Sequence, residues 1–469
     1  MNSLTMKFGG TSVGTVDAIN QATIIIVEQS KRWDSVAVVV SAMSGTTDLL
    51  MSGANSAADG DEQTYKTLAV EIRNKHTQVI DELVLESERK ELRATIEGFI
   101  NEFSTFCHGV CILGEVTPRA MDAIVSFGER MNARVIAAVL RKKGLKSEAI
   151  DATELIVTDD AFQKAVPKME PTREQIQANL VPMLNDHIVP IITGFIGATK
   201  SGMITTLGRG GSDYSAAIIA TCLESKEVWI WTDVDGVMTT DPRVVKNARV
   251  IPTLSAGEIS ELAYFGAKVL HPRTIWPVIE HGIPLWVKNT FNPTFPGTRI
   301  MREPESKKGE VKAVAVIKNL SLVSVEGRGM MGVPGIAART FSAVARQKAN
   351  VLMISQASSE QSICFVIPTD SVPLVVKALE KEFTLELERG DINSVWSMDD
   401  IVIVTVVGTG IRSTPGLASK IFSALGNASI NIIAIAQGSS EFGISLIVSA
   451  ADADAAVQQI HEHVINHVK

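Results

Sequence analysis

VSVEGRGMMGVPGIAARTF, Val323 to Phe341, joins a β-type run to a helical pattern through Gly327-x-Gly329-x-x-Gly332. That spacing is the dinucleotide-binding turn, whose glycines let the backbone approach a pyrophosphate at a helix N-terminus. Taken alone, it makes the chain an NAD-linked oxidoreductase. The stretch is not alone, however. GRGMMGVPGIAARTFSAVARQKANVLMISQASSEQSICFVI, from Gly327, is matched by GTGIRSTPGLASKIFSALGNASINIIAIAQGSSEFGISLIV, from Gly408. Gly335 pairs with Gly416, Asn350 with Asn431, Gln356 with Gln437 and Glu360 with Glu441, each 81 positions on (437 against 356). In the second copy Ser413 replaces the third glycine. Glu360 stands 28 residues past Gly332 (360 against 332), beyond the ~20 at which a ribose-binding acid is required. Two copies of one short supersecondary unit, each with a tight strand-to-helix turn, fit better than a Rossmann domain.

Upstream of the repeat, NPTFPGTRIMREPESKKGE (Asn292 to Glu310) mixes prolines, glycines and charges as a linker does. Before it, continuous apolar runs such as VAVVVSAM (Val36 to Met43), IVPIITGFIG (Ile188 to Gly197), EVWIWTDV (Glu227 to Val234) and IPLWVKNT (Ile283 to Thr290) alternate with helical patterns. Such runs suit strands covered on both faces of a mainly parallel sheet. Residues 60–109 are charged, free of proline and apolar at helical spacing, which predicts a helical insertion, with His76 read as a solvated helix residue.

The composition, 45% hydrophobic and 20% charged over 469 residues, predicts a well-buried globular chain of two or three domains. The net charge of −8, with no basic block, speaks against nucleic acid. No apolar run reaches the ~18 residues of a membrane span, and the first ten residues lack the apolar region of a signal peptide. Four cysteines suit a reducing cytoplasm. Cys107 and Cys111 with His108 lack a second cluster, so no metal site is expected.

Several glycine loops carry candidate chemistry. MKFGGTSVG (Met6 to Gly14) places Lys7 before Gly9 and Gly10 at a strand-to-helix passage, where bare amides and a cation can hold phosphate. TTLGRGGSDYSAA (Thr205 to Ala217) is a second glycine loop entering a helix, with Arg209 as a planar fork for carboxylate or phosphate. Ser212 and Asp213 there also read as ordinary helix caps. WTDVDGVMTTDPR (Trp231 to Arg243), FGAKVLHPRT (Phe265 to Thr274) and VSFGERMNA (Val125 to Ala133) add Thr, Asp, Arg, Lys268 and Glu129.

In that order, KFGGTS, SFGER, TTLGRGGSDYSA, WTDVDGV, TTDPR and AYFGAKVLHPRT resemble the aspartate kinases of the amino-acid-kinase superfamily, and the C-terminal repeat resembles tandem ACT regulatory domains. The resemblance implies an α/β fold. A three-layer αβα, carbamate-kinase-like domain spans 1–300, a linker 301–319, and ferredoxin-like βαββαβ ACT units 320–395 and 396–469. It also implies transfer of a phosphoryl group from ATP, with Mg2+, to the β-carboxylate of L-aspartate, the first step towards lysine, methionine and threonine. The chemistry needs no general base, because a carboxylate of pKa ~4 is already ionised at neutral pH. The task is to bring two anions together and spread charge.

By resemblance, Lys7, Gly9 and Gly10 hold the transferring phosphoryl group, while Thr47 contacts substrate. Arg209 clamps the α-carboxylate and Glu129 meets the ammonium. Ser212 and Asp213 complete that pocket or orient Lys7, and Thr232, Asp233, Arg243 and Lys268 surround ATP. Met238 stands where the family often has tyrosine, which implies an apolar contact there. His271 reads as a structural residue. Asn350, Gln356, Asn431 and Gln437 are the effector candidates, and their neutral side chains favour L-threonine over lysine. No dehydrogenase motif follows the repeat, so a stand-alone kinase is expected, pairing as a homodimer or higher even assembly through ACT units. A catalytically silent amino-acid sensor is the competing reading, against which stand the intact Lys7, Glu129, Arg209, Asp213 and Lys268.

Overall fold

The computed structural model describes residues 2–265, 270, 272–303, 309–356, 361–438 and 440–465, the side chains of 272 and 273 excepted. Lys268, His271 and Glu360 lie outside the described residues. The chain forms two compact units. No described helix is long and apolar enough to cross a membrane.

The first unit comprises residues 1–237, 250–256 and 269–303. Its eight-stranded sheet runs in the order Ser147–Ile150, Val189–Thr193, Ser35–Val40, Ser3–Phe8, Glu227–Thr232, Leu285–Asn289, Thr298–Met301, Thr253–Ser255. Every neighbouring pair is parallel except Leu285–Asn289 with Thr298–Met301. Two adjacent inner strands, Ser3–Phe8 and Ser35–Val40, are buried at every residue. The region expected as an insertion holds two helices, Glu62–Leu83 and Glu86–Leu113. His76 is a correction. It is fully buried on the face of Tyr65, Ala69, Ile72 and Ile80, its Nδ1 lies 2.8 Å from the Ile72 carbonyl oxygen, and burial pulls its pKa down to about 4.

The second unit comprises 238–249, 257–268 and 304–469. It therefore departs from the expected boundary at 300, because two stretches of the N-terminal region pack with the repeats. It holds one six-stranded sheet, in the order Met353–Gln356, Ser362–Pro368, Val311–Glu326, Ser394–Gly408, Gly443–Ser449, Ala434–Ala436, with every pairing antiparallel. The two central strands are long, and each serves both repeats. Val311–Glu326 changes repeat at Asn319 (φ 62°) and Ser394–Gly408 at Asp400 (φ 54°), where ladder irregularities mark the bend. Asn and Asp tolerate this left-handed conformation better than bulkier residues. The first repeat thus runs contiguously from Leu320 to about Ser397, and the second takes its fourth strand from Val311–Ile317, upstream of both. Much of the expected linker 301–319 is therefore strand.

An antiparallel sheet has no place for the parallel crossover of a dinucleotide fold, and this decides the opening motif. A Cβ on Gly327 would lie 2.2 Å from the Asp391 carbonyl oxygen, so that glycine serves chain packing.

Candidate active site

Ligands of open parallel sheets bind outside the carboxyl ends of the strands, where successive connections diverge. Three loops of the first unit meet there. Strand Ser3–Phe8 ends at Gly9, whose N–H donates to the Trp231 carbonyl (3.1 Å). Strand Ser35–Val40 ends at Ser41, whose N–H donates to the Phe8 carbonyl (3.1 Å), and Gly194, after Val189–Thr193, donates to the Val40 carbonyl (2.8 Å). The loops are packed too closely for side chains. A Cβ on Gly10 would stand 3.3 Å from the Ala42 carbonyl oxygen, and one on Gly194 2.7 Å from Ser212.

Lys7 projects from the penultimate position of its strand. Its Nζ lies 2.6 Å from Asp213 Oδ1, with side chains 11% and 13% exposed. Asp213 belongs to the first turn of helix Gly211–Cys222, whose N-cap Gly210 has φ 73°. Gly208, at φ 77°, sits with exposed Arg209 between them at the tip of the loop. That loop is anchored from below by Asp122, which accepts from the Gln163 and Thr206 amides (2.9 Å each) and from the Thr206 hydroxyl (2.8 Å). Burial raises the Asp122 pKa while those donors oppose it.

Asp122 and Glu129 lie two turns apart on helix Pro118–Lys142. Glu129 is 3% exposed. One of its oxygens accepts from the Ala42 amide (3.2 Å), and the other has no partner among the described residues. Burial pushes its pKa up to about 8, against the pull of the Ala42 amide. One turn on, Asn132 donates to the Ser41 carbonyl (2.7 Å) and keeps its own oxygen open. The Thr46 hydroxyl, fully buried, is likewise unpartnered. Buried polar atoms are normally satisfied, so three open ones on or against the Ser41–Thr46 loop mark it as a candidate polar site.

The structure thus brings together Lys7, Gly9, Gly10, Asp213, Ser212 and Glu129. Thr47 is half-buried, and its neighbour Thr46 carries the open hydroxyl. Thr232 donates to Asp233 (3.2 Å) at the end of strand Glu227–Thr232. Arg243 belongs to the second unit and pairs with Asp241 at 2.6 Å. Thr46, Asn132 and Asp122 were missed by sequence reasoning. The only signal for Asn132 was its helical spacing from Glu129 in SFGERMN. Among the described residues, no three His, Cys, Asp or Glu converge as a metal cage.

In the first repeat a pocket of about 280 Å³ is lined by Met330, residues 332–337, Gln356 and Ile363. Asn350, Asn431 and Gln437 are exposed.

Comparison with known proteins adds the decisive observation: residues 4–289 match the amino acid kinase family. The chain belongs to that family. Residues 323–383 and 404–464 match the ACT domain. As an amino acid kinase the chain has close relatives. It is 39% identical over 468 residues to bifunctional aspartokinase/homoserine dehydrogenase 1, chloroplastic, of Arabidopsis thaliana, covering 97% of this chain and 50% of that protein. It spans about half the length of the curated relatives it matches first. E. coli aspartokinase III, solved in complex with lysine and aspartate, superposes with a TM-score of 0.81 at 30% identity, over 99% of this chain and 100% of that one. The same enzyme with aspartate and ADP gives 0.80 at 30%, over 98% and 99%.

Proposed function

We propose that the chain is an aspartate kinase, transferring the γ-phosphoryl group of ATP to the β-carboxylate of L-aspartate to give 4-phospho-L-aspartate. The observation that carries this is the Lys7–Asp213 pair beside the close-packed Gly9–Gly10 turn, one loop from the open carboxyl oxygen of Glu129. A cation beside a glycine turn that leaves room for phosphate oxygens suits a phosphoryl group in transfer. A buried acid with an open oxygen suits the substrate ammonium. Arg209, exposed at the loop tip, takes the α-carboxylate, and Ser212 and Thr47 border it. Thr232, Asp233, Arg243 and Lys268 serve ATP. Mg2+ comes with the nucleotide phosphates, the usual manner for an ion that keeps most of its waters. E. coli aspartokinase III, described with aspartate and with ADP, supports the same substrates here.

A coupled ADP-release assay with L-aspartate, L-glutamate and UMP tests the assignment. Turnover with aspartate alone is expected. ADP release with none of the three would mark an amino-acid sensor. Arg209→Ala is expected to raise KM for aspartate by about 30-fold or more, the cost of removing a charged clamp, and to spare KM for ATP. A rise confined to ATP would move Arg209 to the nucleotide site.

The effector is proposed to be L-threonine. E. coli aspartokinase III was solved with lysine, whose side-chain ammonium needs an acidic partner when desolvated. The described lining of the first-repeat pocket offers Gln356 and no acid. Threonine is expected to inhibit by favouring a less competent conformation. Gln356→Ala is expected to weaken threonine inhibition at least about fivefold, one net hydrogen bond, with uninhibited kcat intact. Inhibition of the wild type by lysine alone would overturn the reading. A cytoplasmic homodimer or higher even assembly, paired through ACT units, completes the proposal.

A further inference from the structure

Asp122 is a buried acid, 1% exposed, that phosphoryl transfer does not use. Its three hydrogen bonds join two separate stretches of the first unit. Oδ2 accepts from the Gln163 and Thr206 amides (2.9 Å each), and Oδ1 accepts from the Thr206 hydroxyl (2.8 Å). All three donors are neutral, so N–H and O–H dipoles hold the carboxylate where a cation does not. Leucine would fill the same space without the cost of burying an acid. An acid that accepts from two stretches at once fixes where both lie relative to its own helix.

Both stretches support Arg209. Gln163 has φ 68°, uncommon for a residue with a side chain, and its carbonyl oxygen would stand 3.1 Å from a Cβ on Gly208. Thr206 is tied on its other side as well, its carbonyl accepting from the Ala165 amide (2.9 Å). The Leu207 amide donates to the Phe195 carbonyl (2.9 Å), and the Gly211 amide closes the turn on the Gly208 carbonyl (2.9 Å). Arg209 and Gly210 form the tip of that turn, so the residues beneath set its backbone. The bonds of Asp122 tie this base to helix Pro118–Lys142, which carries Glu129 seven residues on (129 against 122). Seven residues rise about 10 Å along a helix and return to nearly the same face. One rigid element thus carries the partner of the substrate ammonium and holds the loop that offers Arg209.

We propose that Asp122 is a positioning residue for L-aspartate: it fastens the base of the Arg209 loop to the helix of Glu129, and so sets the span between the groups that hold the α-carboxylate and the ammonium. This rests on the reading that Arg209 binds the α-carboxylate.

The test uses the full chain. Asp122→Ala is expected to raise KM for aspartate about tenfold and to spare KM for ATP, since a binding group displaced by about 1 Å can lose up to ~100-fold. Asp122→Asn keeps an oxygen for the two backbone N–H groups and turns its NH2 towards the Thr206 hydroxyl, so it is expected to retain most of the affinity. Thr206→Val removes the hydroxyl bond alone and tests the same link should Asp122→Ala fold poorly. A rise of about fivefold is expected there, the loss of one net hydrogen bond. The double variant is the decisive readout. In an Arg209→Ala background, Thr206→Val is expected to raise KM for aspartate no further, because both changes act through one group. An equal rise with and without Arg209 would reduce Asp122 to a packing residue and overturn the proposal. If Arg209→Ala raises KM for aspartate while Asp122→Ala and Thr206→Val do not, the positioning role is wrong and the role of Arg209 stands. If Arg209→Ala leaves KM for aspartate unchanged, the reading of Arg209 fails and the proposal falls with it.

Discussion

Lys7→Ala is expected to lower kcat by at least ~100-fold, since removing one contact to charge developing in the transition state costs about 3 kcal/mol or more. The position of Lys7 makes the loss larger than that of a surface cation. Its side chain is 11% exposed, so water can replace the ammonium only poorly. Alanine would also leave the Asp213 carboxylate, 13% exposed, without its partner at 2.6 Å. An unpaired carboxylate facing the incoming phosphates repels what lysine attracts. Lys7→Met, which keeps the stem, is expected to behave like alanine. Arginine is not expected to rescue, because its longer, planar fork cannot put a single compact charge where Nζ stands, 2.6 Å from Asp213 in a site only 11% exposed. Single-turnover phosphoryl transfer on folded protein is the measurement. Near-normal turnover in Lys7→Ala would sink the assignment.

Much of this site was legible because its chemistry is written in local runs. Lys7-x-Gly9-Gly10 and Gly208-Arg209-Gly210-Gly211 are contiguous, and their glycines are needed for reasons visible in the chain itself. Other parts depend on contacts that no local pattern records. Thr46 and Thr47 are adjacent threonines at a helix start, and only the rotation of that helix decides which hydroxyl turns inward. Asp122 matters because Thr206, 84 residues on, folds over it. His76 is a different failure. It stands four residues from both Ile72 and Ile80, so the periodicity that predicted the helix also placed His76 on the buried face, and residue polarity was given too much weight. The duplication of the C-terminal unit was plain from the 81-residue offset, but not its closure. Alignment of two copies compares like with like, so it cannot show that Val311–Ile317, before both copies, completes the second.

Glu129→Gln is expected to raise KM for aspartate by about 30-fold or more at pH 8, the range for removing one partner of a desolvated charge pair, and to leave KM for ATP alone. The pH dependence carries the sharper prediction. With no ammonium beside it, burial pushes the Glu129 pKa up to about 8, so at pH 7 the empty site is mostly neutral. An ammonium beside the open oxygen favours the charged form, so aspartate binding expels a proton below pH 8. Apparent affinity should therefore rise with pH, with a limiting slope of about tenfold per unit below the pKa of the empty site, and level off above it. The aspartate carboxylates, ionised throughout that range, contribute no slope. In Glu129→Gln the slope should vanish, because glutamine has no proton to lose. Calorimetric titration of aspartate in two buffers of different ionisation enthalpy would read the proton release directly. Equal release by wild type and Glu129→Gln at pH 7 would show that another group meets the ammonium.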